Sequence, residues 1–332
     1  MSAALGVGGA LGLPVAAGIA QRDWHALFWA AAGFGLVCLI AVVAVVPESP
    51  TYREARFDYL GALGLVAALT LLLVPLSKGA AWGWASPRVV GMFVCGAAIF
   101  AAWTVYEWRR AHPLVDLRIN ATRAVALTNA ASAATGFAFF AITVVPILLL
   151  MAPSESGNGN DLPMSAAGAL LMPGGLTMVG FAAVGAILAK KFGGRIALAA
   201  GGAMMALGYV IAVLPLAAGW HVAPWYVVMI SCTVSAGIGA AYAVMPALIM
   251  SAVPQRQTGE ANGVNSLVRS LGTSVAAAVV GMLLAHFVVI LDDGDAYPST
   301  TGYLAAIGVS LAACLVTIVC AVAIPASAET PS

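Results

Sequence analysis

Arg269 is the one charged side chain set deep inside an apolar stretch of this sequence, about ten residues beyond the polar entrance at Gly259 and Glu260. A guanidinium so placed either turns inward to polar partners, with Asn262 and Asn265 on the same helix face, or lays its stem along the helix so that the head reaches the interface. The acidic residues do the opposite. Asp23, Glu48, Glu54, Asp58, Glu107, Asp116, Glu155, Asp161, Glu260, Asp292, Asp293, Asp295 and Glu329 all fall in loops, tails or the end turns of apolar stretches. His25, His112, His221 and His286 lie in loops or near helix ends. Proton chemistry at mid-membrane depth needs a titratable group there, and this sequence places neither a carboxylate nor an imidazole at that depth. Cys38, Cys95, Cys232, Cys314 and Cys320 sit in apolar runs without a CxxC or Cys/His cluster, and read as small buried hydrophobes. No Walker loop, HExxH or GxSxG occurs. No enzyme activity, catalytic residue, metal or cofactor is expected.

What must position these residues is a series of long apolar elements. Hydrophobic residues make up 62% of the 332-residue chain and charged residues 8%, with a mean hydropathy of +1.00. Soluble domains are charged at roughly a quarter of their residues, so the composition is that of a membrane protein. A net charge of +1 offers no basic surface, and no nucleic-acid partner is expected. Apolar runs long enough to cross ~30 Å of hydrocarbon as helices fall near 3–20, 25–46, 58–77, 87–107, 124–151, 165–188, 195–217, 224–250, 262–289 and 302–324. They are continuous and do not alternate, which makes them helices and not barrel strands. The expected fold class is therefore an all-α polytopic membrane protein of about ten transmembrane helices. The opening residues are Gly/Ala-rich, without the basic n-region and cleavage site of a signal peptide.

Basic residues set the expected orientation. With the N-terminus inside, Arg53, Arg56, Arg109, Arg110, Arg118, Arg123, Lys190, Lys191, Arg195, Arg256 and Arg269 gather on the cytoplasmic side. Only Arg22, Lys78 and Arg88 remain outside, where acidic or neutral loops such as Asp292-Asp293-Gly294-Asp295 are also found. Both termini are then expected in the cytoplasm of a multi-pass plasma-membrane protein.

Four blocks emerge along the chain: a helix pair over 1–46, a hairpin with an amphipathic linker over 47–122, six helices over 123–325, and a tail over 326–332. Four motifs lie across them in order. The first is Gly8-Gly-Ala-Leu-Gly12-Leu-Pro14-Val-Ala-Ala-Gly18, followed by the turn Asp23-Trp24-His25-Ala-Leu-Phe28-Trp29. Next comes Arg56-Phe-Asp58-Tyr-Leu-Gly61-Ala-Leu-Gly64 with Lys78-Gly79-Ala-Ala-Trp82-Gly83-Trp84. The last is Gly259-Glu-Ala-Asn262-Gly263-Val-Asn265-Ser-Leu-Val-Arg269-Ser-Leu-Gly272. In these the chain resembles the major facilitator superfamily, specifically the 14-spanning drug–proton antiporters matched from their fifth helix onward. The resemblance implies a partial major facilitator fold with a complete C-terminal six-helix bundle, lacking the first four helices. It also implies that 1–46 ends the N-terminal half and that 47–122 is an inserted hairpin.

Through that resemblance particular residues acquire roles. Gly8, Gly12, Pro14 and Gly18 form the antiporter-motif helix, where small residues admit a neighbouring backbone and proline bends the helix; Leu13 stands where the family has glycine before proline. Gly185, Lys190, Lys191, Gly193 and Arg195 resemble a degenerate cytoplasmic gating loop, with Lys190 in place of its aspartate. Spans 124–151 and 224–250 correspond to helices lining the central cavity, so Asn129, Thr135, Phe137, Phe140, Tyr242 and Met245 are substrate-cavity candidates, joined by Asn262, Asn265 and Arg269. Aromatic and methionine side chains with few hydrogen-bonding groups suit small apolar or cationic compounds. Pro146, Pro173, Pro215 and Pro246 supply mid-span bends.

Two readings follow. One is an efflux carrier for drugs or small molecules, working by proton-coupled alternating access in the lipid bilayer. The other is a non-transporting remnant, or a half that needs a partner chain to supply the missing helices. In either, the coupling proton's site is expected on helices outside this sequence.

Overall fold

A computed structural model of the chain describes residues 12, 15–16, 19, 23–45, 58–110, 114–292 and 294–325. Among the described residues nine helices are long and apolar enough to cross a membrane. Of the expected first span, residues 12, 15, 16 and 19 are helical; the others, including Gly8, Pro14 and Gly18, lie outside the described residues, as do the 46–57 loop and the 326–332 tail.

Helix α1 (His25–Val45) is apolar around its whole circumference and buries no residue, the surface of a helix that meets lipid. Helices α2 (Tyr59–Trp82) and α3 (Pro87–Arg109) pair as a hairpin. Local chemistry fixes both starts. The Asp58 carboxylate accepts from the Gly61 amide at 2.9 Å, and Ser86 caps α3 ahead of Pro87 at its first position. A single turn, α4 (Leu117–Asn120), capped by Asp116, then leads into the main body.

That body is a bundle of six helices: α5 (Arg123–Met151), α6 (Met164–Phe192), α7 (Gly194–Ala217), α8 (Pro224–Ala252), α9 (Thr258–His286) and α10 (Thr300–Ala323). Helices α6 and α7 pack on α8, α9 packs on α5, and α10 lies against both α5 and α7. Lipid is as apolar as leucine, so such helices associate through close fit and not through expulsion of water. Gly201 on α7 and Gly237 on α8 face each other, and a Cβ on either would press on the other's backbone. Met205, Tyr209, Ile238, Met245 and Tyr303 fill the core they bring together. Pro146, Pro173, Pro215 and Pro246 all fall inside these helices, each of which continues past its proline.

Several boundaries differ from the sequence reading: the helix expected over 58–77 runs to Trp82, and that over 165–188 runs to Phe192. The ninth expected span, 262–289, is helical over Thr258–His286. Beyond it, Val288–Ile290 forms a short antiparallel ribbon with Ala296–Pro298, Val289 opposite Tyr297. The run Val288-Val289-Ile290 is β-branched throughout, and Gly294, with φ 87°, allows the turn that brings its partner back. The described residues are thus nearly all helical, with one ribbon among them at a helix end.

Candidate functional site

Two polar clusters about a helical turn apart lie where α5, α8 and α9 meet. In the first, Asn265 of α9 donates from Nδ2 to Asn129 Oδ1 at 2.9 Å and to Ser132 Oγ at 2.6 Å, both on α5. Ser132 donates to Met245 Sδ of α8 at 3.0 Å, and Asn129 Nδ2 reaches Asn120 Oδ1 at 3.3 Å. Asn129, Ser132, Met245 and Asn265 are all buried. Buried amides are stable in such surroundings only when paired, and here the pairs run between three helices. Thr135 continues the row, meeting Thr317 of α10 at 3.3 Å with both side chains fully buried.

The second cluster is partly open: the Tyr242 ring is 5% exposed, while Phe139 and Arg269 are half-buried. Arg269 is half-buried, its guanidinium carbon 4.9 Å from the centroid of the Tyr242 ring. The Phe139 ring lies 6.2 Å from Tyr242, and Arg269 Nη2 donates to Ser266 Oγ at 3.0 Å. Of the two dispositions expected for Arg269, the inward turn to Asn262 and Asn265 is not the one this geometry shows. Asn265 is already engaged by α5, and Asn262 donates to the Thr258 carbonyl in its own first turn. The nearest large acceptor surface left to the guanidinium is the aromatic face of Tyr242. Gly136 makes the approach possible, because a side chain there would strike the Arg269 backbone. Phe137 and Phe140 are half-buried and pack against the core.

Burial shows where a ligand could meet this cluster. The most apolar windows of α5 and α8 are 56% and 67% buried, against 22% for both α6 and α9. Helices α5 and α8 therefore form a floor, with α6 and α9 as rims. The cavity inside the core, lined by Val145, Tyr209, Ile230 and Ile307 among others, holds about 20 Å³. That is room for about one water molecule, too little for a drug-sized compound.

At the junction of α6 and α7, Lys190 and Lys191 occupy the last turn of α6, and Gly193 makes the reversal at φ 91°. Arg195 opens α7, and Gly185 lies against the Ala240 backbone of α8. A groove of about 330 Å³ runs between Lys190, Gly194 and Ser251. Gly12, the antiporter-motif residue that is described, is exposed. Among the described residues no group of three or more His, Cys, Asp or Glu could hold a metal ion.

Sequence reading did not single out Ser266 or Thr317. The first was visible as a member of an i, i+3 row with Arg269; the Thr135–Thr317 pairing, across two helices far apart in sequence, carried no local signal.

Residues 1–277 match the family described as the Major Facilitator Superfamily. The chain is 28% identical over 319 residues to a probable actinorhodin transporter of Streptomyces coelicolor, covering 92% of the chain and 54% of that protein. It is 27% identical to the multidrug resistance protein Stp of Mycobacterium tuberculosis, over 80% of the chain and 48% of that protein. It is also 27% identical to the tetracenomycin C resistance and export protein of Streptomyces glaucescens, over 90% and 54%. The chain thus spans about half the length of these relatives. A family match over most of the sequence, together with a multi-pass helical fold, establishes that this chain belongs to the Major Facilitator Superfamily, whose members are membrane transporters and not enzymes.

Proposed function

We propose that the chain is part of a drug or small-molecule exporter of the 14-spanning type, seated in the plasma membrane with both termini cytoplasmic and working by proton-coupled alternating access. The observation that carries this reading is the partly open Phe139–Tyr242–Arg269 cluster, in which Arg269 of the α9 rim reaches the Tyr242 ring of the floor helix α8. An aromatic, sparsely hydrogen-bonding surface accepts small apolar compounds, or cationic ones that reach the aromatic faces, without strict shape demands. The relatives named as a resistance and export protein and as a multidrug resistance protein support outward transport. Residues 123–325 form the C-terminal half, 47–122 the inserted hairpin with its linker, and 1–46 the end of the N-terminal half.

Alternating access requires two sets of helices rocking about a shared site. The rims α6 and α9, with little of their surface buried, are the faces on which a second set would close. The same polypeptide or a partner chain supplies that set. The coupling proton is carried there too, since the described acidic groups all lie in loops or at helix ends. The test is to express the sequence from Met1 in an efflux-deficient bacterium and follow ethidium accumulation with and without a protonophore. Lower accumulation that the protonophore abolishes means that this polypeptide transports. Accumulation equal to the empty vector, with the protein in the membrane, favours the second reading, a half whose face is completed by a partner.

A further inference from the structure

The carboxylates that transport leaves unused gather where the α2–α3 hairpin meets the linker. Glu107, in the last turn of α3, is 2% exposed. Its Oε2 accepts from the Val115 amide at 3.3 Å, while Oε1 is buried with no hydrogen-bond partner. Asp58, ahead of α2, is 8% exposed. Its Oδ1 accepts from the Gly61 amide at 2.9 Å and the Tyr106 hydroxyl at 3.1 Å. Its Oδ2 has no hydrogen bond and lies 3.6 Å from Arg110 Nε. The two orphan oxygens share one space. A Cβ on Gly61 would fall against both Glu107 Oε1 and Asp58 Oδ2. Trp103 closes it, donating from Nε1 to the Gly61 carbonyl at 2.8 Å.

Two carboxylates facing each other in so small a buried space cannot both carry charge. Asp58 is the better stabilised anion. The Gly61 amide, then the Tyr106 hydroxyl and the Arg110 guanidinium, outweigh its burial and hold its carboxyl below the ordinary carboxylate value. Glu107 has the Val115 and Leu114 amides, and the one cation that acts on it, Arg110, is shared with Asp58. The other charged groups around it do not help: Asp116 caps α4, Glu260 of α9 accepts from the Asp116 amide, and Arg118 is folded over Trp108.

We propose that Glu107 is a proton-binding site, neutral in the folded protein at neutral pH, with its proton directed across the Gly61 space toward Asp58. The proton comes from bulk water and returns to it as the pH is raised; no other group changes state. This proton is structural and is distinct from the one coupled to transport. Consecutive linker amides are held by two carboxyl groups, Val115 by Glu107 on the hairpin and Asp116 by Glu260 on α9. The neutral Glu107 thus latches the hairpin to the bundle without placing a further negative charge between Asp58 and Glu260. Deprotonation sets two charges face to face and loosens the latch.

The test is infrared difference spectroscopy on the chain in lipid nanodiscs, stepping from neutral to alkaline pH. Wild type is expected to lose a protonated-carboxyl C=O band that Glu107→Gln lacks and Glu260→Gln retains. Thermal melting should fall at alkaline pH in wild type and stay level in Glu107→Gln. A wild type without the band, or a band that survives in Glu107→Gln, overturns the proposal in favour of an ionised Glu107 bridged by water or another group. If Glu107→Gln fails to fold, Gly61→Ala serves as the second variant. It fills the shared space without removing an acid, and must shift the wild-type band if the proton lies there; an unmoved band overturns the placement.

Discussion

The buried row at Asn129–Ser132–Asn265 and the partly open cluster at Phe139–Tyr242–Arg269 are built from the same three helices, one turn apart, yet they are opposites. In the first, side-chain donors meet acceptors on a neighbouring helix and the residues are buried. In the second, a permanent cation is half-buried, held by one hydroxyl and the face of a ring. Closed pairing fixes how α5, α8 and α9 sit together. An arginine with donors to spare, reaching from the sparsely buried α9 rim to a ring on α8, can still bind something else. Polarity inside a membrane bundle therefore has two uses here, and satisfaction of hydrogen bonds separates them.

Substitutions can break that contrast in graded ways. The largest effect is expected from Gly136→Leu, which drives a side chain into the Arg269 backbone and forces α5 from α9. Both clusters depend on that contact, so the folded fraction recovered in detergent should collapse, read by size-exclusion profile. Asn265→Ala comes next. It strips Asn129 and Ser132 of a donor in a dry site and should cost about 1–2 kcal/mol, seen as a lower melting temperature. Substrate preference of the protein that remains folded should not change. Tyr242→Leu reverses the pattern. Loss of the cation–π contact costs only about 0.5–1 kcal/mol, while binding of aromatic substrates, read by fluorescence titration with ethidium, should weaken severalfold. If Asn265→Ala altered preference, or Tyr242→Leu altered only stability, the division between the two clusters would fail.

Much of this was legible in the residues. Continuous apolar runs located every span that the structure describes, because helix length against bilayer thickness is a constraint read directly from sequence. The polar rows on α5 and α9 were legible as well, through their spacing. Partner choice was not. Whether Arg269 would meet Asn265 on its own helix or Tyr242 from α8 depends on which amide α5 takes first, and that is decided by packing between segments more than a hundred residues apart. The ribbon at 288–298 was hidden for a related reason: a run of β-branched apolar residues reads equally as the last turn of a span, and only the return of Ala296–Pro298 distinguishes them. Glu107 looked like an ordinary end-turn carboxylate, since burial beneath a linker leaves no mark on its own segment.

The smallest effect sharpens the comparison most. Thr135 and Thr317 are fully buried and 3.3 Å apart, and Thr317 also donates to the Ala313 carbonyl on its own helix at 3.2 Å. The interhelical bond is therefore one that the Thr317 hydroxyl can partly replace. Thr135→Val keeps the volume and removes the hydroxyl, leaving Thr317 its backbone acceptor. The change should cost under about 1 kcal/mol, a shift of the melting temperature small beside that of Asn265→Ala. If Thr135→Val were as damaging as Asn265→Ala, the buried row would act as one cooperative network extending to α10, and the fixed region would be wider than the three helices that its amides join.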